Sequence, residues 1–438
     1  MSNKLKDSGM KKFMVLLLAV GLLLFFATPV MANVENIFGG YMRVRAYNNT
    51  NFTGEDDTEA KDRQLVDTRT RLYYTAKFND NFKFVNKFEI DNTWGDTDGG
   101  DIGADEVNIE VKNSYADFTL GSINSKIGMQ GTALSRGFLF DDDFSGAIVT
   151  YQTGDISFPV FWMKAFEGYK ITGDDTDKND FDVDYYGINP TFKAGGATIK
   201  PLLMWITSKD VSEFDDDYAN LEKCGLYYLG VDVDVDLDGA SLWFTAIYET
   251  GSIESAELVG EEEIVEDIDA DVSAYLVAVG ASAYIDAINI HGQAFYATGD
   301  DNNEDDDVEA FFVPDGQSYY WAEIMGLGIF DANASNNSCA DGISNIMALN
   351  IGATMKPMNK LSMTADIWYA TLAEDAANDE DMLGIEVDLV ATYTLMDNLK
   401  LDVVGAYLFA GDATYNDDVS EENEEDPYEF GARLSFKF

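Results

Sequence analysis

Histidine occurs once in the 438 residues, at position 291, cysteine twice and proline seven times. Basic side chains are scarce as well, 28 lysines and arginines against 80 aspartates and glutamates, a formal net charge of −52. A chain this acidic repels phosphate backbones, which excludes nucleic-acid binding through a basic surface. A single histidine leaves little room for zinc or triad chemistry. His291 has Ile290 and Gly292 beside it and no acidic neighbour in the sequence, so no catalytic residue is assigned. The low proline content, with 46% hydrophobic and 13% aromatic residues, excludes a disordered polyelectrolyte. Beyond the N-terminus no stretch approaches ~18 consecutive apolar residues, so nothing there crosses a bilayer as a helix.

The N-terminus differs from the rest. Lys4, Lys6, Lys11 and Lys12 precede an apolar run from Phe13 to Phe26, followed by Pro29 and the small residue Ala32. Residues 1–32 read as a secretory signal peptide, with cleavage expected after Ala32. The mature chain is therefore expected to be exported, and it is more acidic still, since four lysines leave with the leader.

What recurs after the leader is alternation. Phe430, Ala432, Leu434, Phe436 and Phe438 interleave with Gly431, Arg433, Ser435 and Lys437, and the stretches 69–78, 361–369 and 399–409 repeat the period of two. Eighteen candidate strands follow. About half of the connections are tight turns of the Asn/Asp/Gly/Pro kind, at 79–81, 154–155, 238–239, 357–359 and 396–398. The rest are long and acidic, at 50–62, 172–180, 210–217, 254–271, 300–307, 374–381 and 412–426. Long and short loops in alternation are what an up-and-down barrel with one outer and one inner rim requires.

A water-soluble β-sandwich or solenoid, as in a secreted surface-layer protein or adhesin, produces similar alternation. Three features favour the membrane: 57 aromatic residues with Trp162, Trp205, Trp243 and Trp368 inside strand-like runs, a strand face too charged for a packed core, and an alternating last strand that ends on Phe438. The charged face carries Arg43, Arg45, Arg69, Arg71, Lys83, Lys87, Asp232, Asp234, Asp366, Glu386 and Asp388.

The ending Tyr428-Glu429-Phe430-Gly431-Ala432-Arg433-Leu434-Ser435-Phe436-Lys437-Phe438 resembles the C-terminal strand by which outer-membrane β-barrels are recognised for assembly. The early segments Phe38-Gly39-Gly40-Tyr41-Met42-Arg43-Val44-Arg45 and Asp67-Thr68-Arg69-Thr70-Arg71-Leu72-Tyr73-Tyr74, with Lys87-Phe88-Glu89-Ile90-Asp91, resemble the first strands of bacterial outer-membrane porins, most nearly the homotrimeric porins of sulphate-reducing and related bacteria. This resemblance implies a transmembrane barrel of about eighteen strands, or sixteen, over residues 33–438. It implies a Gram-negative outer membrane, lipid around the barrel, a homotrimer, contact of the Phe438 strand with the barrel-assembly machinery, and a water-filled pore for small hydrophilic solutes. A channel dedicated to a sugar or polysaccharide is the alternative within the same fold.

If the barrel closes, the last strand lies beside the first, and a basic wall forms from Arg43, Arg45, Arg69, Arg71, Lys77, Lys83, Lys87, Arg433 and Lys437. A ring of charge sets which ions pass. By analogy with porins, residues 124–144 are the candidate constriction loop, with Lys126, Arg136 and the triplet Asp141, Asp142 and Asp143 opposing that wall. The plainer alternative is that the cations line a wide lumen and the triplet decorates an outer loop.

Carboxylate clusters at Asp174, Asp175 and Asp177, and at Asp305, Asp306 and Asp307, carry the hard oxygens that calcium or magnesium takes, although solvated acidic surface explains them equally. The stretch Asp234-Val235-Asp236-Leu237-Asp238-Gly239 opens like an EF-hand loop but has Thr245 at the twelfth position, and reads as a strand instead. Export permits a Cys224–Cys339 disulfide, with free thiols as the alternative. The longest connection, 298–341, contains Tyr319, Tyr320, Trp321 and an apolar run at 324–330; it is expected to hold a short helix and to plug the barrel, cap it or pack in a trimer interface.

Overall fold

The computed structural model describes residues 34–55, 61–103, 107–167, 182–208, 221–258, 264–301, 307–376, 380–415 and 424–438. In it the alternating segments pair, each with its neighbour, and the last strand returns to the first. The strands are β1 (Glu35–Thr50), β2 (Arg63–Asn79), β3 (Phe82–Thr93), β4 (Glu110–Leu120), β5 (Ile123–Leu134), β6 (Phe140–Thr153), β7 (Ile156–Phe166), β8 (Val183–Ile188), β9 (Thr191–Ala194) and β10 (Ala197–Ser208). They continue as β11 (Leu221–Leu237), β12 (Ala240–Leu258), β13 (Ile264–Ile285), β14 (Ile288–Ala297), β15 (Asp307–Val308), β16 (Ile346–Met358), β17 (Leu361–Leu372), β18 (Met382–Met396), β19 (Leu399–Ala410) and β20 (Tyr428–Lys437).

Two of these are not separate staves. Both β8 and β9 sit between β7 and β10, parted at 189–190 where Pro190 has no N–H for the ladder. The two-residue β15 lies parallel on β13, outside the ring. Eighteen antiparallel staves remain, closed by β1 against β20 from Tyr41↔Lys437 to Thr50↔Tyr428. The terminal residue extends the closure, since the Phe438 backbone bonds Gly40 in both directions at 2.8 and 3.1 Å. The Phe438 ring lies where a Cβ on Gly40 would be, 2.3 Å from its Cζ, so only glycine fits there.

Several connections differ from the expectation. The acidic stretch 254–271 is mostly strand, because backbone pairing of β12 with β13 runs on to Leu258↔Ile264. Tight turns also occur at 121–122, 195–196 and 286–287, the last with Asp286 at φ +53°. The proposed loop 124–144 is mainly β5 and β6, joined by a short 3-10 turn at Ser135–Gly137. Its glycines and apolar residues satisfy strand pairing as readily as loop packing, which is why composition misassigned it. The expected leader, 1–32, lies outside the described residues.

The apolar face points outward. Leu229, Val279, Ile290, Ile351, Ile367, Leu389 and Val403 are each 39 to 62% exposed, on strands whose alternate residues are buried. A water-soluble sandwich would turn that face inward.

A second apolar region lies inside. Residues 309–345 fold into the barrel and place Phe311, Trp321, Ile324, Met325 and Phe330 against inward side chains of the wall, among them Leu226, Tyr228, Leu276, Phe295, Ile346 and Trp368. Phe330 packs on Tyr47 of β1, with ring centroids 5.1 Å apart. Each large side chain removed from water contributes ~1.5–3 kcal/mol, so this plug is a core in its own right. The described part of the connection contains no helix, contrary to expectation. Its backbone is satisfied by local turns, such as Asp331 N–H to the Leu327 carbonyl, and by side chains. Glu386 of β18 accepts from the Ile324 and Met325 amides at 2.6 and 2.9 Å, Glu249 of β12 accepts from Phe312 at 2.9 Å, and Glu323 accepts from Ile329 at 2.7 Å.

Candidate pore constriction

The plug packs mainly against β10 to β18 and reaches β1, β2 and β19 through Phe330 and Asp331. The inward faces of β10 to β18 are largely apolar at the plug's height, Glu249 and Glu386 apart, a property that two segments signal in the sequence: 201–206 and 226–229 are apolar on both faces, so they lack the alternation of a wet wall. The opposite wall, β1 to β4 with β19 and β20, carries charges.

Those charges are paired across neighbouring strands. Arg45 Nε and Nη2 donate to both Asp67 carboxylate oxygens at 2.6 to 3.1 Å, and Arg69 makes the same fork to Asp91 at 2.5 to 2.9 Å. Arg71 bonds Glu89. Lys83 is 3.2 Å from Asp117, and Arg433 donates to Asp402 at 2.9 Å. Lys77 engages Asp80 at 2.8 Å near the inner turn. Antiparallel register sets these pairs, since Arg45↔Asp67, Arg69↔Asp91 and Arg71↔Glu89 stand directly opposite each other. The nine expected cations thus share one wall, but as a ladder of alternating charge rather than a bare basic surface. No ion pair is shown for Lys437 among the described residues. Sequence reasoning grouped the cations alone, although Asp67 stands two residues from Arg69 on β2 and Glu89 and Asp91 follow Lys87 on β3; only the cross-strand register shows which of them pair.

Arg43 reaches further, to Asp331 of the plug at 3.4 Å. Arg43 and Arg45 are 8 and 7% exposed, and Arg43 Nε and Arg45 Nη1 have no partner among the described residues. Both line a cavity of ~310 Å3 with Asp67, Arg69, Asp91, Asp96 and Asp98.

The β5–β6 hairpin end bends inward. Arg136, held in the left-handed region at φ +62°, crosses to β11 and β12, where it donates to Asp234 at 2.5 Å and Thr245 at 3.2 Å and lies 4.8 Å over the Trp243 ring. Phe138 stacks on Tyr319 of the plug at 3.8 Å between centroids. Asp143 approaches the wall, 3.7 Å from both Lys87 and Lys112. Asp141 donates its amide to the Gly316 carbonyl, Asp142 accepts the Asp143 amide, and Lys126 lies 6.0 Å over Tyr115. Asp232 accepts from Thr245 and Asp234 from Arg136, so the EF-hand-like stretch is strand, as read from the sequence.

Other assignments fare differently. Asp174, Asp175, Asp177, Asp305 and Asp306 lie outside the described residues, and Asp307 begins β15; among the described residues no carboxylate group is arranged to hold a metal. Cys224 and Cys339 are free thiols, one on β11 and the other in the plug, where burial pushes Cys339 up to about 12. His291 does have an acidic partner, Asp366 at 2.9 Å, two strands away across Gly352, whose missing side chain leaves the gap they bridge. Asn350 donates to the same carboxylate oxygen at 3.0 Å.

Solved structures with this architecture are numerous. OccK9 (OpdG) of Pseudomonas aeruginosa superposes with a TM-score of 0.59 at 13% identity, over 92% of this chain and 98% of that one. The fold is that of an outer-membrane porin barrel. A BenF-like porin from Pseudomonas fluorescens Pf-5 gives 0.56 at 12% identity, over 92% of this chain and 98% of that one. OccAB4 of Acinetobacter baumannii gives 0.55 at 12% identity, over 94% of this chain and all of that one. No protein-family model matches the chain, and no curated protein matches it in sequence.

Proposed function

We propose that the protein is a channel of the Gram-negative outer membrane, exported with loss of residues 1–32, through which ions and small hydrophilic solutes diffuse passively. One observation carries this reading: the barrel interior is packed on one side and lined by hydrogen-bonding charge on the other. Water and solutes then pass along the β1–β4 ladder, between it and Asp331 and the β5–β6 hairpin. Fixed cations and anions facing each other at short range order water and polarise a passing solute more than a neutral wall does. Arg43, Arg45, Arg69 and Arg71 govern ion preference at this level, because charges at a constriction are screened less than those of the acidic rim.

Within this reading the barrel is a homotrimer surrounded by lipid, and the Phe438 strand is the part that the assembly machinery recognises. A substrate-selective channel is the second reading. The buried, partly unpartnered guanidinium groups of Arg43 and Arg45 beside a formed cavity favour it over a plain sieve. Single-channel recording of the purified mature protein in a planar bilayer under a salt gradient tests both. Stepwise conductance with graded solute flux is the expected result. Saturable flux of one solute class with low ion conductance would replace the general channel by the selective one, and insertion without any conductance would overturn both.

A further inference from the structure

Each carboxylate of the charge ladder stands opposite a cation on a neighbouring strand, as Asp67 does to Arg45, Asp117 to Lys83 and Asp402 to Arg433. A second group of carboxyls, against the plug, does not. Glu386 on β18 stands opposite Trp368 and Leu408, and Asp388 opposite Asp366 and Ala406. Glu429 on β20 stands opposite Ala406 and Asn49. Only the methyl group of Ala406 therefore separates the Asp388 and Glu429 strands at this height. The plug adds Glu323, and Glu323 and Glu386 both lie close enough to act on Asp388 and Glu429.

All four groups are removed from water, at 7% exposure for Glu323, 0% for Glu386, 4% for Asp388 and 3% for Glu429. Among the described residues none of them forms an ion pair. The two arginines whose charge reaches them are held elsewhere, Arg433 by Asp402 and Arg45 by Asp67. Glu386 accepts the Ile324 and Met325 amides with one oxygen each, and it is also in hydrogen-bond contact with Asp388. Ionised carboxylates only accept, so a bond between two of them requires a proton. Asp388 Oδ1 and Glu429 Oε1 are buried with no partner among the described residues. An unpaired anion is strongly disfavoured in such a place, and a protonated carboxyl much less so.

We infer that Glu323, Glu386, Asp388 and Glu429 form a proton-held clasp, which docks the plug on the wall in acid and releases it in alkali. With Asp388 protonated, Glu386 stays the anion that the plug's amides require. Loss of the protons sets like charges together in a dry space, and they regain water only when residues 322–331 leave the wall. The surroundings fix the direction. Asp366 of β17 and Asp402 of β19 add negative charge, Arg433 of β20 and Arg45 of β1 oppose it, and the Tyr47 phenol of β1 is neutral in this range. Asp331 of the plug is taken up by Arg43 and by the Tyr320 hydroxyl. Burial pushes Glu323 up to about 7, so release is expected as pH rises through that value. The inference concerns how the plug is held and not what passes beside it.

Two measurements on the full-length protein in detergent test the clasp without any current being recorded. The infrared carbonyl stretch of protonated carboxyl groups reports the protons themselves: the wild type is expected to show it at neutral pH, and Asp388→Asn with Glu429→Gln to lose much of it. Trp321 packs edge-on against Phe295 and Trp368, at 5.4 and 5.2 Å between centroids, so its emission reports docking. Its share of the signal is identified with Trp321→Phe. Raising pH through about 7 is expected to shift the wild-type emission reversibly to the red and to speed protease cleavage within 309–345 several-fold. The double variant carries amides that donate like the protonated carboxyls but cannot ionise, and its plug is expected to stay docked at both extremes. A wild type with no protonated-carboxyl band, or a red shift as large in the double variant, overturns the proposal. Heat-modifiable migration establishes first that each barrel is folded. Should the double variant not fold, the wild type alone decides, since absence of either the band or the red shift overturns the clasp.

Discussion

The two inner walls of this barrel solve the same problem in opposite ways. The strands β10 to β18 meet a folded-in segment, and their lumenal faces set apolar side chains such as Leu226, Leu276 and Phe295 around a few buried carboxylates, among them Glu249 and Glu386. The strands β1 to β4 meet water, and their lumenal faces hold arginines and carboxylates forked together. The difference shows that a β-strand's inward residues report what fills the barrel beside them, not whether a barrel is present. Where the plug has no regular structure, buried glutamates on the wall receive its amides; where there is no plug, the carboxylates receive guanidinium groups instead.

The largest test of this contrast removes the plug. Replacing residues 314–342 by a short glycine-serine linker is expected to raise single-channel conductance several-fold while leaving heat-modifiable migration intact. Unchanged conductance would mean that the plug does not limit the path. A milder lesion on the dry side is Phe138→Ala, which deletes a fully buried ring stacked on Tyr319. It should weaken docking of the plug by about 3–5 kcal/mol, read as faster protease cleavage within 309–345.

On the wet side, Arg69→Gln with Arg71→Gln leaves Asp91 and Glu89 without their partners. The reversal potential in a salt gradient is expected to move toward cation preference, with a smaller change in conductance. No movement in either would remove these two residues from the ion path.

Acidity distinguishes the walls more subtly. Burial raises Glu323 of the plug to about 7, with Glu386 adding repulsion and Arg433 opposing it. A carboxyl group whose folded value is raised stabilises the docked plug fully below its ordinary value of 4.5, and loses that contribution as pH rises through about 7. The groups around it are Glu386 of β18, Asp366 of β17, and Arg433 and Glu429 of β20. Current noise and open probability should therefore grow between pH 5 and pH 8, and Glu323→Gln should flatten that slope. The smallest effect is expected from Cys224→Ser with Cys339→Ser. Migration and conductance should match the wild type with or without reductant, since both thiols are free.

Much of this was legible in the residues. The eighteen strands, the closure and the grouping of Arg43, Arg45, Arg69, Arg71 and Arg433 on one wall follow from a period of two and from chain order. The plug was visible as a segment, in Trp321 and the apolar run after it, though not its helix-free course. The carboxylates of the ladder, the inward bend of the β5–β6 hairpin and the Asp366 partner of His291 were not legible, because each depends on cross-strand register or on contacts made across the lumen.

Sequence alone determined that this chain has one apolar and one polar strand face, turns on one rim, long acidic loops on the other, and a last strand able to close on the first. These are local properties, set by side-chain alternation and turn chemistry. Only the tertiary structure decided which inward faces stay wet. That depends on where one long connection comes to rest, with its apolar side chains mainly against β10 to β18 and its amides on carboxylates that those strands bury.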